Sequence, residues 1–481
     1  MTNYIASLGR LFRQDLAPST TAFADRQTTY ATYDAYYANR IYETTTNGGD
    51  REGINRALGI PADTVLTGLY NPVARCVDLY QHVLGGEFGV DILAVPGPTA
   101  AAIADPLLRL WQWSNMNQAK QVLCRLSPTH GTVGLRIVAR NDVPDARRRV
   151  YIKVEHPRII RDVELDERGN VEQIMLEYDV TTGLDTESNT ETIRELQTKA
   201  QFTTWTITNG QPTLRSQVPN DLGVVPYVLV AHSPSGEAFS RNAFYRVTRL
   251  IDKLNEVQNH IAVQIKKHVR VTWLIEGPGA LSSMDLSGDT VLYRNTQVAT
   301  GDTKATPMLA NLSLSESLLY AQQLITQIED DLPELKATGG KFLSGQSGET
   351  VAQLRKPAED RLALARVNME DGLVRANMLA LSYGVLYNLW DIGTGMGTRE
   401  AAERAFQGGF EEHRFNAREL LPPTEGERLA HLEARQRLGV SKRRTWAALG
   451  MSEQDIAENM REVEAQTPAP LVAAQEPAAD V

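Results

Sequence analysis

The stretch Ser240-Arg-Asn-Ala-Phe-Tyr-Arg-Val-Thr-Arg-Leu-Ile-Asp-Lys-Leu-Asn-Glu-Val-Gln-Asn-His-Ile-Ala-Val-Gln-Ile-Lys-Lys-His-Val-Arg270 reads as one helix. Apolar or neutral residues fall at Ala243, Val247, Leu250, Leu254, Val257, Ile261 and Ile265. Steps of three and four put them on one narrow stripe, and Arg246, Arg249, Lys253 and Glu256 take the other faces. A second helix repeats the stripe with Leu314, Leu318, Ala321, Ile325, Ile328 and Leu332. Neither helix hides its stripe within itself, so each needs another helix, from this chain or a neighbouring copy. About 28 residues of helix span roughly 40 Å. Two rods of that length, joined by a compact insert, suit a stalk better than a globular pocket.

Working outward, the insert from about Arg270 to Asn311 holds Val271-Thr-Trp-Leu-Ile275 and Thr290-Val-Leu-Tyr293. Turns at Gly277-Pro-Gly279 and Gly288-Asp289 make it a small α/β or β module. After the second rod comes Ala337-Thr-Gly-Gly-Lys-Phe-Leu-Ser-Gly-Gln-Ser-Gly348, too rich in glycine for helix or strand. A third helix begins near Glu349 and continues toward Trp390, with Pro357 near its start.

Before the first rod, Tyr30, Tyr33, Tyr36, Tyr37 and Tyr42 cluster on a helix. They form an aromatic docking surface for the rest of the fold, or an exposed patch for a partner. Asn71-Pro72 opens another helix, with Val73, Cys76, Val77, Tyr80 and Val83 on one face. A further helix is expected over Pro106–Leu126. From Gly131 the period changes to two. Leu135–Ala139, Val150–Glu155, Val171–Tyr178, Phe202–Ile207 and Val225–Val230 read as strands of a mostly antiparallel sheet. Turn signals at Arg140–Asp142, Asp166–Asn170 and Asn209-Gly210 punctuate them. Beyond Trp390, a glycine-rich linker leads to a helical patch ending near Phe406. Helical segments then start at Pro422-Pro423, Ser441 and Ser452, and the proline- and alanine-rich tail from Gln466 to Val481 reads as disordered. The fold class is α+β.

The composition bounds the function. With 481 residues there is room for several domains. A net charge of −10 argues against a general nucleic-acid binder that grips phosphates with a basic surface, but leaves room for a protein past which DNA slides. The two cysteines, Cys76 and Cys124, sit in no metal or redox motif and fit a reduced cytosolic setting. Met1–Leu16 is no secretory signal, and no apolar run reaches membrane length.

No stretch carries a catalytic pattern, and the chain is read as no enzyme. Gly340-Lys341 is followed by Phe342 rather than Ser or Thr, and a polar helix precedes it, so it is no phosphate-binding loop. Ser344 and Ser347 lack the frame of a nucleophile elbow. The eight histidines are scattered; His260 and His431 each have a glutamate one turn back, which reads as a surface ion pair. No metal site and no cofactor are expected. Lys266, Lys267, His268 and Arg270 end the first rod, where they complement the helix dipole or meet a polyanion. Lys336 and Lys341 flank the start of the glycine loop: point-charge contacts to phosphate if that loop faces DNA, and otherwise a solvated hinge.

The order of these parts resembles the portal proteins of tailed bacteriophages, over most of the chain. Asn71-Pro-Val-Ala-Arg-Cys-Val-Asp78 is similar to an early helix of that family. The Leu110-Trp111 helix and Gly131-Thr-Val-Gly-Leu-Arg-Ile137 follow in the family's order. Leu421-Pro-Pro423, Gly439-Val-Ser-Lys442, Leu449-Gly-Met-Ser452, Glu458 and Arg461-Glu462 are similar to its helical crown. The resemblance implies a wing over 1–239, a stem helix over 240–269 and a clip over 270–311. It continues with a second stem helix (312–336), a tunnel loop (337–348), a long kinked helix with a return to the wing (349–420), a crown (421–465) and the tail (466–481).

It further implies a ring of about twelve subunits at one capsid vertex, assembled in the host cytoplasm. Double-stranded DNA would pass through it without sequence preference. Partners would be the terminase large subunit, head-completion or adaptor proteins, and the major capsid and scaffolding proteins; no membrane is involved. Lys336, Gly339, Gly340, Lys341, Phe342, Ser344 and Gln346 would face the channel. Val247, Leu250, Leu254, Val257 and Ile261 would form the seam between neighbouring subunits. Other readings are a different ring or connector of a virion, a nucleotide-dependent DNA motor, which would need the missing phosphate loop, and a coiled-coil scaffold, which would leave the sheet unexplained.

Overall fold

A computed structural model of the chain describes residues 20–41, 70–85, 93–94, 98–182, 189–208, 210–269, 272–277, 290–295, 304–308, 314–338, 348–393, 395–407, 413–415, 420 and 437. The chain divides into two units, residues 1–341 with 354–420, and residues 342–353 with 421–481. Apart from residue 437, the expected crown and tail lie outside the described residues. The fold is mixed α+β with antiparallel sheets. Among the described residues, no helix is long and apolar enough to cross a membrane.

In chain order the helices are α1 Thr20–Tyr37, α2 Val73–Gly85, α3 Pro98–Trp113, α4 Met116–His130, α5 Thr248–Val269, α6 Ser315–Asp331, α7 Glu334–Thr338, α8 Gly348–Leu386 and α9 Arg399–Gln407. The strands are β1 Leu93–Ala94, β2 Thr132–Ala139, β3 Val150–Glu155, β4 Ile160–Leu165, β5 Val171–Thr182, β6 Asn189–Thr198, β7 Gln201–Thr208, β8 Gln211–Pro219, β9 Tyr227–Ala231, β10 Thr272–Gly277, β11 Thr290–Asn295, β12 Lys304–Met308 and β13 His413–Arg414.

The tyrosines of α1 dock onto the chain's own core. Tyr30 and Tyr36 are buried. Tyr30 and His130 stack edge to face at 5.3 Å, and Tyr33 and Phe244 at 5.7 Å. Tyr42 lies outside the described residues. Helix α2 starts at its sequence signal: Asn71 Oδ1 accepts the Val73 amide at 3.1 Å, and Pro72 has no amide to leave unpaired. The single helix expected over 106–126 is two. Asn115 takes a left-handed conformation, φ 48°, which asparagine tolerates. Beside it, the Ser114 hydroxyl donates to the Leu110 carbonyl and accepts the Ile152 amide, which ties the break to β3.

The one sheet expected after Gly131 is two, each antiparallel throughout: β3-β2-β9 and β4-β5-β6-β7-β8. They share a core in which Ile160, Val171, Ile174 and Leu176 meet Val225 and Tyr227. Charges pair across the strands: Glu177 on β5 reaches Arg161 on β4 at 2.6 Å and Arg194 on β6 at 2.7 Å. The two edges of the larger sheet are guarded differently. At β4, Arg26 of α1 donates to the Ile160 and Arg161 carbonyls, both at 2.8 Å, and stacks on Phe239. At the other edge β8 is exposed along its whole length, with Pro212 and Pro219 near its ends, and a bulge at Thr204–Trp205 shifts its register against β7.

The rods differ from the sequence expectation at two points. Helix α5 begins at Thr248 rather than near Ser240, because the preceding amides already have partners: Ser240 donates to the Thr132 hydroxyl and Ala243 to the Pro128 carbonyl. The second rod is cut into α6 and α7 at Pro333, which has no amide and crowds the turn before it. Between the rods lies a mixed sheet of order β11-β10-β12, with β11 parallel and β12 antiparallel to β10. Strand β12 contains Pro307, which an edge strand accommodates.

Helix α8 is 39 residues long, about 58 Å, and its helical span includes Pro357. Ala358, Leu362, Ala365, Met369, Leu373, Ala376 and Ala380 are buried at helical spacing. From Leu379 to Val385 every residue is buried. The helix stops where Asn388 turns left-handed, φ 58°, and the Leu389 amide reaches back to the Gly384 carbonyl. Trp390 then folds against the helix and donates its indole N–H to the Leu381 carbonyl at 3.0 Å.

That fold-back needs a bare backbone beneath it, since a β-carbon on Gly384 would lie 2.0 Å from Trp390 Cζ2. Gly384→Ala should destabilise the protein by about 1–3 kcal/mol, the usual cost of overpacking, seen as a lower Tm in thermal melts. An unchanged Tm would mean that Trp390 withdraws without loss.

Candidate nucleic-acid interface

The glycine loop was the first candidate from the sequence. Gly339, Gly340, Lys341, Phe342, Ser344 and Gln346 lie outside the described residues. The segments on either side of the loop are described, and they are clamped. Glu334, the first residue of α7, is completely buried. Its Oε1 accepts the Tyr80 hydroxyl of α2 at 2.6 Å. Arg361 of α8 lies against both carboxylate oxygens, each at 3.2 Å. The same guanidinium donates to the Asp331 carbonyl at 3.0 Å and the Ala243 carbonyl at 2.7 Å. One arginine therefore joins the end of α6, the start of α7, the turn before α5, and α8.

The electrostatics follow from burial and this pair. Burial alone pulls the Arg361 pKa down, but Glu334, with help from Tyr80 and Cys76, outweighs it and holds it above the ordinary value. Burial and then the Glu334 charge push both the Tyr80 hydroxyl and the Cys76 thiol well up, so both stay protonated. His232 faces the edge of Tyr80 at 4.8 Å. Burial, reinforced by Arg361, lowers its pKa to about 3, so it is neutral at pH 7. Among the described residues, this cluster is the sequence's least legible feature: Glu334 and Arg361 look like ordinary helix charges.

The basic candidates fare unequally. Lys336 forms an ion pair with Asp330 at 2.6 Å, across the Pro333 break. Lys266, Lys267 and His268 fall in the last turn of α5, where a cation favours the helix dipole; their side chains, and all of Arg270, lie outside the described residues. His260 has its expected neighbour, Glu256, at 3.7 Å, and His431 lies outside the described residues.

The seam assigned to neighbouring subunits is covered in part within the chain. Val247, Leu254 and Ile261 are buried by this chain itself, and Leu250 and Val257 are half-buried. Helices α5 and α6 pack on each other. The N-terminal half covers the root of α5, where Tyr36 donates to Asp252 at 2.7 Å and the Asn255 side chain bonds both the amide and the carbonyl of Tyr70. Helical periodicity identifies a stripe that must be covered, not the chain that covers it. The apolar residues left exposed on the rods are others: Ile265, Leu318, Leu319 and Tyr320. The histidines also hold a surprise, because His130, His156 and Asp34 come together although they are far apart in sequence.

Arg361→Ala would take the facing cation away from the buried Glu334 carboxylate, and should cost about 3–5 kcal/mol in urea denaturation. Lys336→Ala should change stability by less than about 1 kcal/mol. Equal effects would mean that the buried pair is no clamp. A second prediction concerns pH. The folded state leaves His232 unprotonated down to about pH 3, whereas the unfolded chain takes up that proton below about 6.5. Stability should therefore fall as pH drops through that window, by at most about 1.4 kcal/mol per unit from this residue. His232→Leu should flatten the dependence, and an unaltered slope would assign it to other groups. No protein-family model matches this chain, and no curated protein does.

Proposed function

We propose that this chain is the portal subunit of a tailed bacteriophage: a ring at one capsid vertex through which genome DNA is packaged and ejected. The observation that carries the reading is the order of the parts. Two packed rods, α5 and α6, flank a small three-stranded sheet, and the second continues through a short helix and a glycine-rich stretch into a 39-residue helix. On this reading the rods are the stem, the three-stranded sheet is the clip that meets the terminase large subunit and later the head-completion or adaptor proteins, and the glycine stretch is the tunnel loop. The chain acts as a conduit and docking platform, without catalysis or cofactor, and starts capsid assembly with scaffolding and major capsid protein in the host cytoplasm.

The physical chemistry supports each part. A net charge of −10 keeps double-stranded DNA from sticking in a channel. Arg361 ties the short helix before the loop to the long helix that follows it, which anchors the loop's approach. With Lys336 paired to Asp330, Lys341 becomes the loop's main phosphate contact. With Val247, Leu254 and Ile261 covered within the chain, contact between neighbours falls to the exposed apolar row Leu318-Leu319-Tyr320 with Ile265, in a head-to-tail cyclic interface.

Light scattering of the purified protein should give a mass several times 53.2 kDa, and negative-stain images should show rings with a central hole. Leu318→Asp with Leu319→Asp should return the mass to that of a monomer with its circular dichroism unchanged. A wild-type chain that stays monomeric at high concentration would overturn the portal reading.

A further inference from the structure

Asp34, His130 and His156 converge from α1, the last residue of α4, and the residue preceding the 3-10 turn Pro157–Ile159. One donor atom from each lies within 4.8 Å of the other two. His130 Nε2 is 3.0 Å from Asp34 Oδ1, and His156 Nε2 is 3.8 Å from Asp34 Oδ2. The two imidazoles stand edge to face, 4.3 Å between centroids. The His130 side chain is completely buried, and the polar group its Nε2 meets is the half-exposed Asp34 carboxylate, which also faces His156.

We propose that Asp34, His130 and His156 bind a divalent transition-metal ion of the zinc class. Two imidazole nitrogens and one carboxylate oxygen are a donor set that zinc accepts, at about 2.0–2.2 Å from the ion. Around a tetrahedral ion of that bond length, donor atoms stand roughly 3.3–3.6 Å apart; here the three donors lie within 4.8 Å of one another, so small side-chain shifts bring them onto an ion. Asp34 and His156 are partly exposed, at 41% and 31%, which gives the ion a path in and leaves a fourth position for water. Tyr30 packs nearly perpendicular to the His130 ring, 5.3 Å between centroids.

Two adjustments accompany binding. Arg158, 3.9 Å from Asp34 Oδ2 and 44% exposed, swings to solvent. His156 Nδ1 accepts the Arg158 amide at 3.1 Å, so the ring proton sits on Nε2. Coordination through Nε2 moves that proton to Nδ1 and frees the amide. The ion then adds a further tie between α1, α4 and the β3–β4 connection, beside the Arg26 and Gln27 hydrogen bonds that already hold α1 to that connection and to β4.

The test is calorimetric titration of the full chain, stripped with a chelator and dialysed, with Zn²⁺. One equivalent per chain should bind saturably, and Zn²⁺ should raise the Tm. Co²⁺ should give the visible absorption of a tetrahedral site. His156→Gln, at a partly exposed position that tolerates the change, should weaken binding at least tenfold and abolish the Tm shift. Asp34→Asn should act in the same direction. Absence of saturable uptake by the wild type, or equal stoichiometry and affinity in both variants, would overturn the proposal.

Discussion

A carboxylate without access to water must be met by a cation and by donors, and Glu334 is such a carboxylate. Removing an ion from water costs on the order of several kcal/mol, so the geometry around it is closely constrained. Tyr80 and Arg361 meet that need from α2 and α8. Arg361 in turn requires acceptors for its remaining N–H groups, and it takes the Asp331 and Ala243 carbonyls. Neither carbonyl is bonded within a helix interior: one lies at the end of α6, the other in the turn before α5. The network thus joins chain ends that ordinary helix packing leaves loose.

The C-terminal half of α8 extends the same logic. Apolar residues fill its surroundings, but buried polar pairs fix its register. Asn377 accepts the Trp111 indole at 3.1 Å and lies 3.0 Å from His413. Tyr383 donates to Asn220 at 3.0 Å, and Asn220 itself bonds the Thr198 and Val224 carbonyls. Asn368 reaches the His232 carbonyl. A purely apolar helix could slide by a turn along its groove, whereas each of these pairs would be left unsatisfied by such a slip. The rods are therefore carried on a body whose central helix has one seating.

Much of this was readable in the residues. Stripes at three and four gave α5 and α6, and Asn71-Pro72 gave the start of α2, because those signals are local. Alternation gave β2, β3, β5 and β7. It missed β6 and β8, whose Thr, Glu, Gln and Arg residues hide the period of two, and β12, where Pro307 argues against a strand. Pro333 stood in plain view just past the end of the stripe at Leu332, yet the second stem helix was drawn through it to residue 336 and the two helices were joined into one. The clamp was not legible, since nothing near Glu334 in sequence names Tyr80 or Arg361. The Asp34, His130 and His156 grouping has the same origin in long-range packing. The covering of the α5 stripe was ambiguous for a deeper reason: periodicity measures how much of a helix is dry, and carries no record of the molecule that dries it.

The exposed edge at β8 has a consequence for how copies of this chain meet. A free strand invites a stranger's strand to hydrogen-bond alongside it, the first step toward fibrils. Here Pro212 and Pro219 withhold amides near both ends, and the bulge at Thr204–Trp205 bends the ladder between them. A visiting strand would find an interrupted row of donors on a warped track. The sheet thus carries its own guard against growing by one more strand from a second molecule.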